Sequence, residues 1–452
     1  MKRWTQLTVC LVALLSAGGA FAQDPEAQSD EKTRVTSSAT AAPVALVYVQ
    51  TTPGVMVYGT AANGTLTVVK GSPFKVIGQM EDISGKFLIS VGDTLLHVYS
   101  IAPNGAVGKQ ISQINTASYG GSECGGTSGQ GSVVDHTGQY LYVQLNTLNT
   151  CAAWQTYRIE PDGFLQFLGD TKSYQLWDSP TDGTKVVATT VPTISSNDKF
   201  QYGIFDIATL SGDFCPPTPG CQSFSAFKTS GGMLEPNSSF SEKDPVADPM
   251  AGEVFHFIPW SWNSPRADNN GHLAVLVTEV DDVGDYEGSG LQVASYSINP
   301  STGALASTNT YNNMPIVQLG WQAYSTVPGP ADRAPDPVDC YVYCNGEYEA
   351  APYAMAMSPA GNILAITGPL AGGLELFHFN GAAPATPFGN VFYDWPIDQI
   401  MWDSKEHLYA LDYAFNNLTV FTVTPSSVKQ TGSPYNLPAS PYGTKGLIVV
   451  SK

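Results

Sequence analysis

His256 is the residue that the sequence places best for general-base chemistry. It lies in a short apolar run, Val254 to Pro259, of the kind that forms an inner strand. An imidazole there can face a central channel and take a proton near neutral pH. A histidine satisfied inside the packing is the alternative reading. His97 and His378 fall in alternating strands, and His136, His272 and His407 fall at tight turns, where packing roles are expected. The chain contains no G-x-S-x-G elbow and no H-E-x-x-H pair, so it carries neither of those hydrolase signatures.

Carboxylates gather in two stretches. Residues 279–290 carry Glu279, Asp281, Asp282, Asp285 and Glu287, and residues 313–350 carry Asp332, Asp336, Asp339, Glu347 and Glu349. Asp281, Asp282, Asp285 and Glu287, with the intervening carbonyls, could hold calcium. Neither stretch has the D-x-[DN]-x-[DN]-G register, so a solvated acidic rim is the competing reading. Trp260, Trp262, Trp321, Tyr324, Tyr341, Tyr343, Tyr348 and Tyr353 gather near the same stretches. Aromatic faces beside carboxylates suit a sugar or a peptide. The same side chains would also serve to pack long loops.

The chain has seven cysteines, one of which, Cys10, lies in the N-terminal apolar run. The other six fall as Cys124/Cys151, Cys215/Cys221 and Cys340/Cys344, an arrangement that points to three disulfides. The close pairs do not have the C-x-x-C spacing of a structural zinc site.

The elements that must carry these groups are read from a recurring phrase. It appears as Val98-Tyr99-Ser100-Ile101-Ala102-Pro103-Asn104-Gly105, as Thr156 to Gly163 and as Ser295 to Gly303. Weaker copies are Ile204 to Ile207, Leu376 to Phe379 and Val420 to Pro425. Period-two alternation marks a strand, and the Pro/Gly ending marks a turn. A second phrase precedes it, a turn followed by a short apolar strand: Ser84 to Ile89, Thr137 to Val143, Asp182 to Val187, Asn270 to Val275, Ala360 to Ala365 and Lys405 to Ala410. Val44 to Val49 supplies the strand without the turn. Seven such units predict an all-β, seven-bladed β-propeller, each blade running from inner strand A to outer strand D. The first unit lacks strand A, and the lone strand Lys445 to Ser451 is expected to supply it, closing the ring and removing a free sheet edge. In this scheme 117–131, 144–153, 229–252, 279–290 and 313–350 are long B–C or D–A connections on one face. The Cys215/Cys221 segment is read as a C–D hairpin on the other.

Residues 1–22 read as a secretory signal peptide. Lys2 and Arg3 precede the apolar run Leu7 to Leu15, and Ala20-Phe21-Ala22 is a cleavage site. Residues 23–42 read as a disordered leader, and 43–452 as the propeller. The mature chain is expected to be exported, periplasmic or extracellular, without membrane insertion, and monomeric. With 20 Lys+Arg against 39 Asp+Glu, the charge argues against a nucleic-acid partner.

The strand phrase Gln139-Tyr140-Leu141-Tyr142-Val143, followed by V-x-Y-x-I-x-P-x-G-x-L, resembles the seven-bladed YVTN/lactonase-type propellers, which include the 6-phosphogluconolactonase-like family. The resemblance covers the chain from about residue 44. For the enzymes of that group it implies a central pocket lined by His, Arg and acidic residues, and no cofactor. His256, Arg266, Arg333 and Glu349 are the candidates by position. The propeller has only three arginines, Arg158, Arg266 and Arg333, too few cations to offset a phosphorylated sugar acid. The sequence therefore leads to a lactonase-like propeller that binds a small molecule, glycan or protein on its loop-decorated face. The alternative is a hydrolase for an uncharged lactone or sugar derivative, with calcium as the one candidate cofactor.

Overall fold

The computed structural model describes residues 42–92, 94–118, 129–147, 151–172, 186–188, 193–207, 222–237, 256–259, 265–280, 291–310, 312–317, 354–368, 373–389, 397–442 and 445–452. These form seven antiparallel sheets. Apart from one 3-10 turn at Thr116–Ser118, the described regular elements are strands. The protein is a seven-bladed β-propeller.

Blade one takes strands B, C and D from the start of the described chain, Ala45–Thr51, Gly54–Thr60 and Leu66–Val68, and strand A from its end, Leu447–Ser451. Leu447 to Ser451 runs antiparallel to Ala45 to Val49, with Tyr48 opposite Ile448. The expected closure is therefore present. Blades two and three follow the same order, from Gln79–Ser84 to Val107–Asn115 and from Gly129–Val134 to Leu165–Lys172. In blades four and five strand A is split, into Val186–Ala188 with Thr193–Ile194 and into His256–Pro259 with Arg266–Ala267. Blades six and seven begin at Ala354–Met357 and Gln399–Trp402.

Every gap between neighbouring blades holds an apolar cluster, from Tyr48 and Leu88 between blades one and two round to Val47 and Leu411 between seven and one. Alternation along a strand thus decides which neighbouring blade a side chain faces. It does not separate core from solvent, and Ala45–Thr51 is buried along its whole length. Each fully buried Val or Leu in these gaps stabilises by about 2 kcal/mol.

The A–B turns explain the second phrase. One residue in each adopts a left-handed φ: Gly85, Gly138, Asp198, Gly271, Gly361 and Glu406. A side chain at the start of the turn caps it. Asp135 Oδ1 accepts from the amides of Gln139 and Tyr140, Asp268 Oδ1 from those of Asn270 and His272, and Asp403 Oδ1 from those of Lys405 and His407. Ser195 and Ser358 do the same with their hydroxyls.

Parts of the expected scheme are corrected. Residues 229–236, expected within a long connection, pair as the C–D hairpin of blade four, with Ser230 opposite Met233. In blade four, Val186 to Ala188 is part of inner strand A, and Phe200–Ile207 is strand B rather than strand C. The strands on either side of Cys215 and Cys221, Phe200–Ile207 and Gln222–Ser230, are therefore B and C rather than C and D, and the two cysteines themselves lie outside the described residues. In blade three, 144–153 is mostly strand, since Tyr140–Thr147 and Cys151–Ile159 pair directly from Thr147 and Cys151 onward.

Candidate functional site at the loop end of the channel

The antiparallel order puts the A–B and C–D turns at one end of the ring and the B–C and D–A connections at the other, the loop end. The inner strand of blade two, Gln79–Ser84, carries two consecutive carboxylates. Met80 pairs with Ser90 and Asp82 with Ile89, so Glu81 is the extra residue of a β-bulge. Bulges re-aim a side chain that regular pleating would direct elsewhere.

Glu81 is 2 % exposed, and its Oε2 has no hydrogen-bond partner. Burial pushes its carboxyl up to about 7. The Lys445 charge opposes the rise, the Asp82 charge adds to it, and Ser132 draws it down. Asp82 is held more firmly: Oδ1 accepts from the Ile83 amide at 2.8 Å and Oδ2 from the Val134 amide of blade three at 2.9 Å. Lys445 Nζ lies 3.5 Å from Asp82 Oδ2 and donates to the Ser132 carbonyl.

A polar belt continues across blades one and seven. Gln50, near the end of strand B of blade one, accepts from the Met80 amide at 3.0 Å and donates to the Tyr442 hydroxyl at 3.0 Å. In blade seven Gln399 donates to the Tyr413 hydroxyl at 2.7 Å and accepts from the Leu447 amide at 2.9 Å. Asp398 accepts from the Tyr413 amide at 2.6 Å. Burial raises the Asp398 and Asp412 carboxyls, and the Asp412 charge raises Asp398 further. Amides, phenols and carboxyls dominate this belt, with Lys445 as its cation among the described residues.

Of the residues expected from sequence, His256 does begin an inner-strand segment, opposite Val280 of strand B. Arg266 lies opposite Ala274 on the same strand B, six residues along, or about 20 Å away at strand spacing. The two are therefore not brought together. The Arg266 guanidinium donates from Nε to the Met355 carbonyl of blade six at 2.5 Å and from Nη1 to the Pro265 carbonyl at 3.0 Å, and burial pushes its pKa down to about 10. These contacts make it a tie between inner strands. Glu279 belongs to strand B of blade five rather than to a loop. Arg333, Glu349, Asp281, Asp282, Asp285 and Glu287 lie outside the described residues, as do Cys124, Cys215, Cys221, Cys340 and Cys344. Cys151 opens strand C of blade three. Among the described residues no group of three or more His, Cys, Asp or Glu side chains could hold a metal ion.

Sequence reading missed Glu81 and Asp82. The signal was there: two adjacent carboxylates directly ahead of the Ser84-Gly85 turn, in a segment that must be an inner strand.

No family model matches the chain, and no curated protein matches it. Solved structures do. A 6-phosphogluconolactonase candidate from Bacteroides fragilis aligns over 92% of this chain and 99% of its own, with a TM-score of 0.54 and 12% identity. A counterpart from Bacteroides uniformis aligns over 90% and 99%, at 0.53 and 12%. The periplasmic gluconolactonase of Pseudomonas aeruginosa aligns over 90% and 99%, at 0.50 and 14%. The chain has the lactonase-type propeller fold. At this identity the likeness is one of architecture, and the residues of the loop end must carry any argument about activity.

Proposed function

We propose that the protein is a lactonase-type hydrolase for an uncharged lactone or sugar derivative, bound at the loop end of the channel, with Glu81 as its acid–base group. The observation that carries this reading is the buried Glu81 carboxyl, with one oxygen unpartnered and its titration moved to about 7. A group with that acidity exchanges protons in both directions near neutral pH. In the reaction, the Glu81 carboxylate takes a proton from water as the water oxygen bonds to the lactone carbonyl carbon. The tetrahedral adduct then collapses. The ring C–O bond breaks, and the departing ring oxygen receives the proton from the Glu81 carboxyl, giving the hydroxy acid and restoring the carboxylate.

Two further features support this choice of substrate class. The carboxyl-rich belt disfavours an anionic ligand, and its amides and phenols offer both donors and acceptors to hydroxyls. The reading includes export of the chain, supported by the charged and apolar pattern of residues 1–22.

The test is a panel of neutral lactones assayed with wild type and with Glu81→Gln. The expected result is turnover that falls by about 10²–10⁴-fold in the variant. Unchanged turnover in the variant removes Glu81 from the mechanism. Thermal stabilisation by a neutral sugar with no turnover of any lactone replaces the hydrolase with a binding propeller.

A further inference from the structure

Lys445 precedes the closing strand Leu447–Ser451, yet its side chain ends two blades away. The backbone beside it is fixed by blades one and seven, through the Gln50 amide on the Gly446 carbonyl at 2.8 Å and the Leu447 amide on Gln399 at 2.9 Å. Its ammonium reaches the Ser132 carbonyl of blade three and comes within 3.5 Å of Asp82 Oδ2 in blade two. Four blades thus meet through residues 445–447, and Glu81 occupies the bulge among them.

We propose that Lys445 is a positioning residue for Glu81, and that docking of the closing strand completes the site by bringing this ammonium to the Glu81 and Asp82 carboxylates. The proposal rests on the reading of Glu81 as the acid–base group. Three groups act on Glu81 from the elements packed around it: Asp82 on its own strand, Ser132 on the inner strand of blade three, and Lys445 ahead of the closing strand. Asp82 and burial favour the neutral carboxyl. Lys445 is the opposing charge, and its removal leaves two adjacent carboxyls with no cation among the described groups that act on Glu81. A carboxyl left beside a like charge, without its opposite charge, titrates higher.

The experiment is an infrared titration of the Glu81 carboxyl in the full chain, with the Glu81→Gln spectrum as reference. In Lys445→Met the Glu81 midpoint is expected to rise by about one unit. Lys445→Arg, which keeps the charge, is expected to leave it near the wild-type position. Where the Met variant does not fold, Lys445→Gln carries the same comparison, since it keeps a donor for the Ser132 carbonyl. A folded Met or Gln variant whose Glu81 midpoint stays in place overturns the proposal. If no lactone is turned over, the hydrolase reading fails while these midpoints still report on Lys445. If the midpoint moves and turnover is found, the neutral limb of the pH–rate profile is expected to move with it, and a limb that stays fixed also overturns the role.

Discussion

The Tyr409 hydroxyl of blade seven lies 2.9 Å from Thr60 Oγ1 of blade one, across a sequence separation of 349 residues. The same phenol reaches Asp403 Oδ2 at 2.8 Å, and Asp403 Oδ2 also lies 2.8 Å from His407 Nδ1. All four side chains are buried. This network fastens the last blade to the first beside the strand pairing that closes the ring.

Tyr409→Phe removes one hydroxyl and leaves two buried partners short of a bond. It is expected to cost about 1–3 kcal/mol of stability. Tyr442→Phe takes one bond from the buried Gln50 amide, but at a phenol that is 36% exposed, where water replaces the hydroxyl, and is expected to cost less, under about 1 kcal/mol. Urea midpoints of the two variants check the contrast.

Asp403 gives the fold an acid-sensitive point. Burial alone would raise its carboxyl, but hydrogen bonds from His407, Tyr409 and the turn amides outweigh burial and hold it below the ordinary value. The folded state therefore favours the carboxylate. That stability is present above the unfolded pKa of about 3.9 and is lost as pH falls through the lower folded one. Asp403→Asn should be less stable than wild type at pH 7, and the gap should narrow as pH is taken below about 4. Denaturant midpoints across that range provide the measurement.

Glu81 has the opposite sign. Its folded carboxyl titrates at about 7 against an ordinary value of 4.5, so the folded state favours the neutral form. The stability it contributes is present below the unfolded pKa and is lost as pH rises through the folded one. Glu81→Gln should match wild type near pH 4 and exceed it at pH 8 by as much as about 3 kcal/mol. Thermal or urea unfolding at the two pH values tests this. The same variant that loses turnover should gain stability.

Two of the A–B turn residues carry a left-handed φ without being glycine. Glu406 accepts one long bond from the Ala360 amide at 3.3 Å, its Oε2 is buried without a partner, and burial raises its carboxyl. Asp198 instead accepts from the His136 amide at 3.1 Å and lies 2.8 Å from His136 Nδ1. Glu406→Gly should therefore stabilise by about 0.5–1 kcal/mol, while Asp198→Gly should stabilise less or destabilise. Paired unfolding curves decide it.

Asp198 also shows where the sequence was legible and where it was not. Five of the A–B turns could be read from their punctuation, four by a glycine at the left-handed position and one by the close copy Lys405-Glu406-His407. In blade four the same backbone is carried by Asp198, and Asp182-Gly183 upstream imitates the missing signal. The strand alternation was read correctly there, but alternation is identical for strands B and C, so the blade was misphased by one strand. The ring closure was legible because an unpaired apolar strand at one end matched a missing strand at the other. The site was less legible. His256 was singled out for its residue type, but it and Arg266 stand at opposite ends of one blade. Glu81 gains its character from a bulge, from burial and from a lysine 364 positions later, none of which a local pattern encodes.

The pairing of Ala45 to Val49 with Leu447 to Ser451 sets the order of assembly. The first blade to be synthesised holds three strands and an open hydrogen-bonding edge until the final segment arrives, so it is the last blade to be finished. Contacts between residues so distant along the chain form slowly, because the intervening loop must first be closed. The other six blades are built from strands that follow one another along the chain, whereas blade one cannot be completed until its last strand returns.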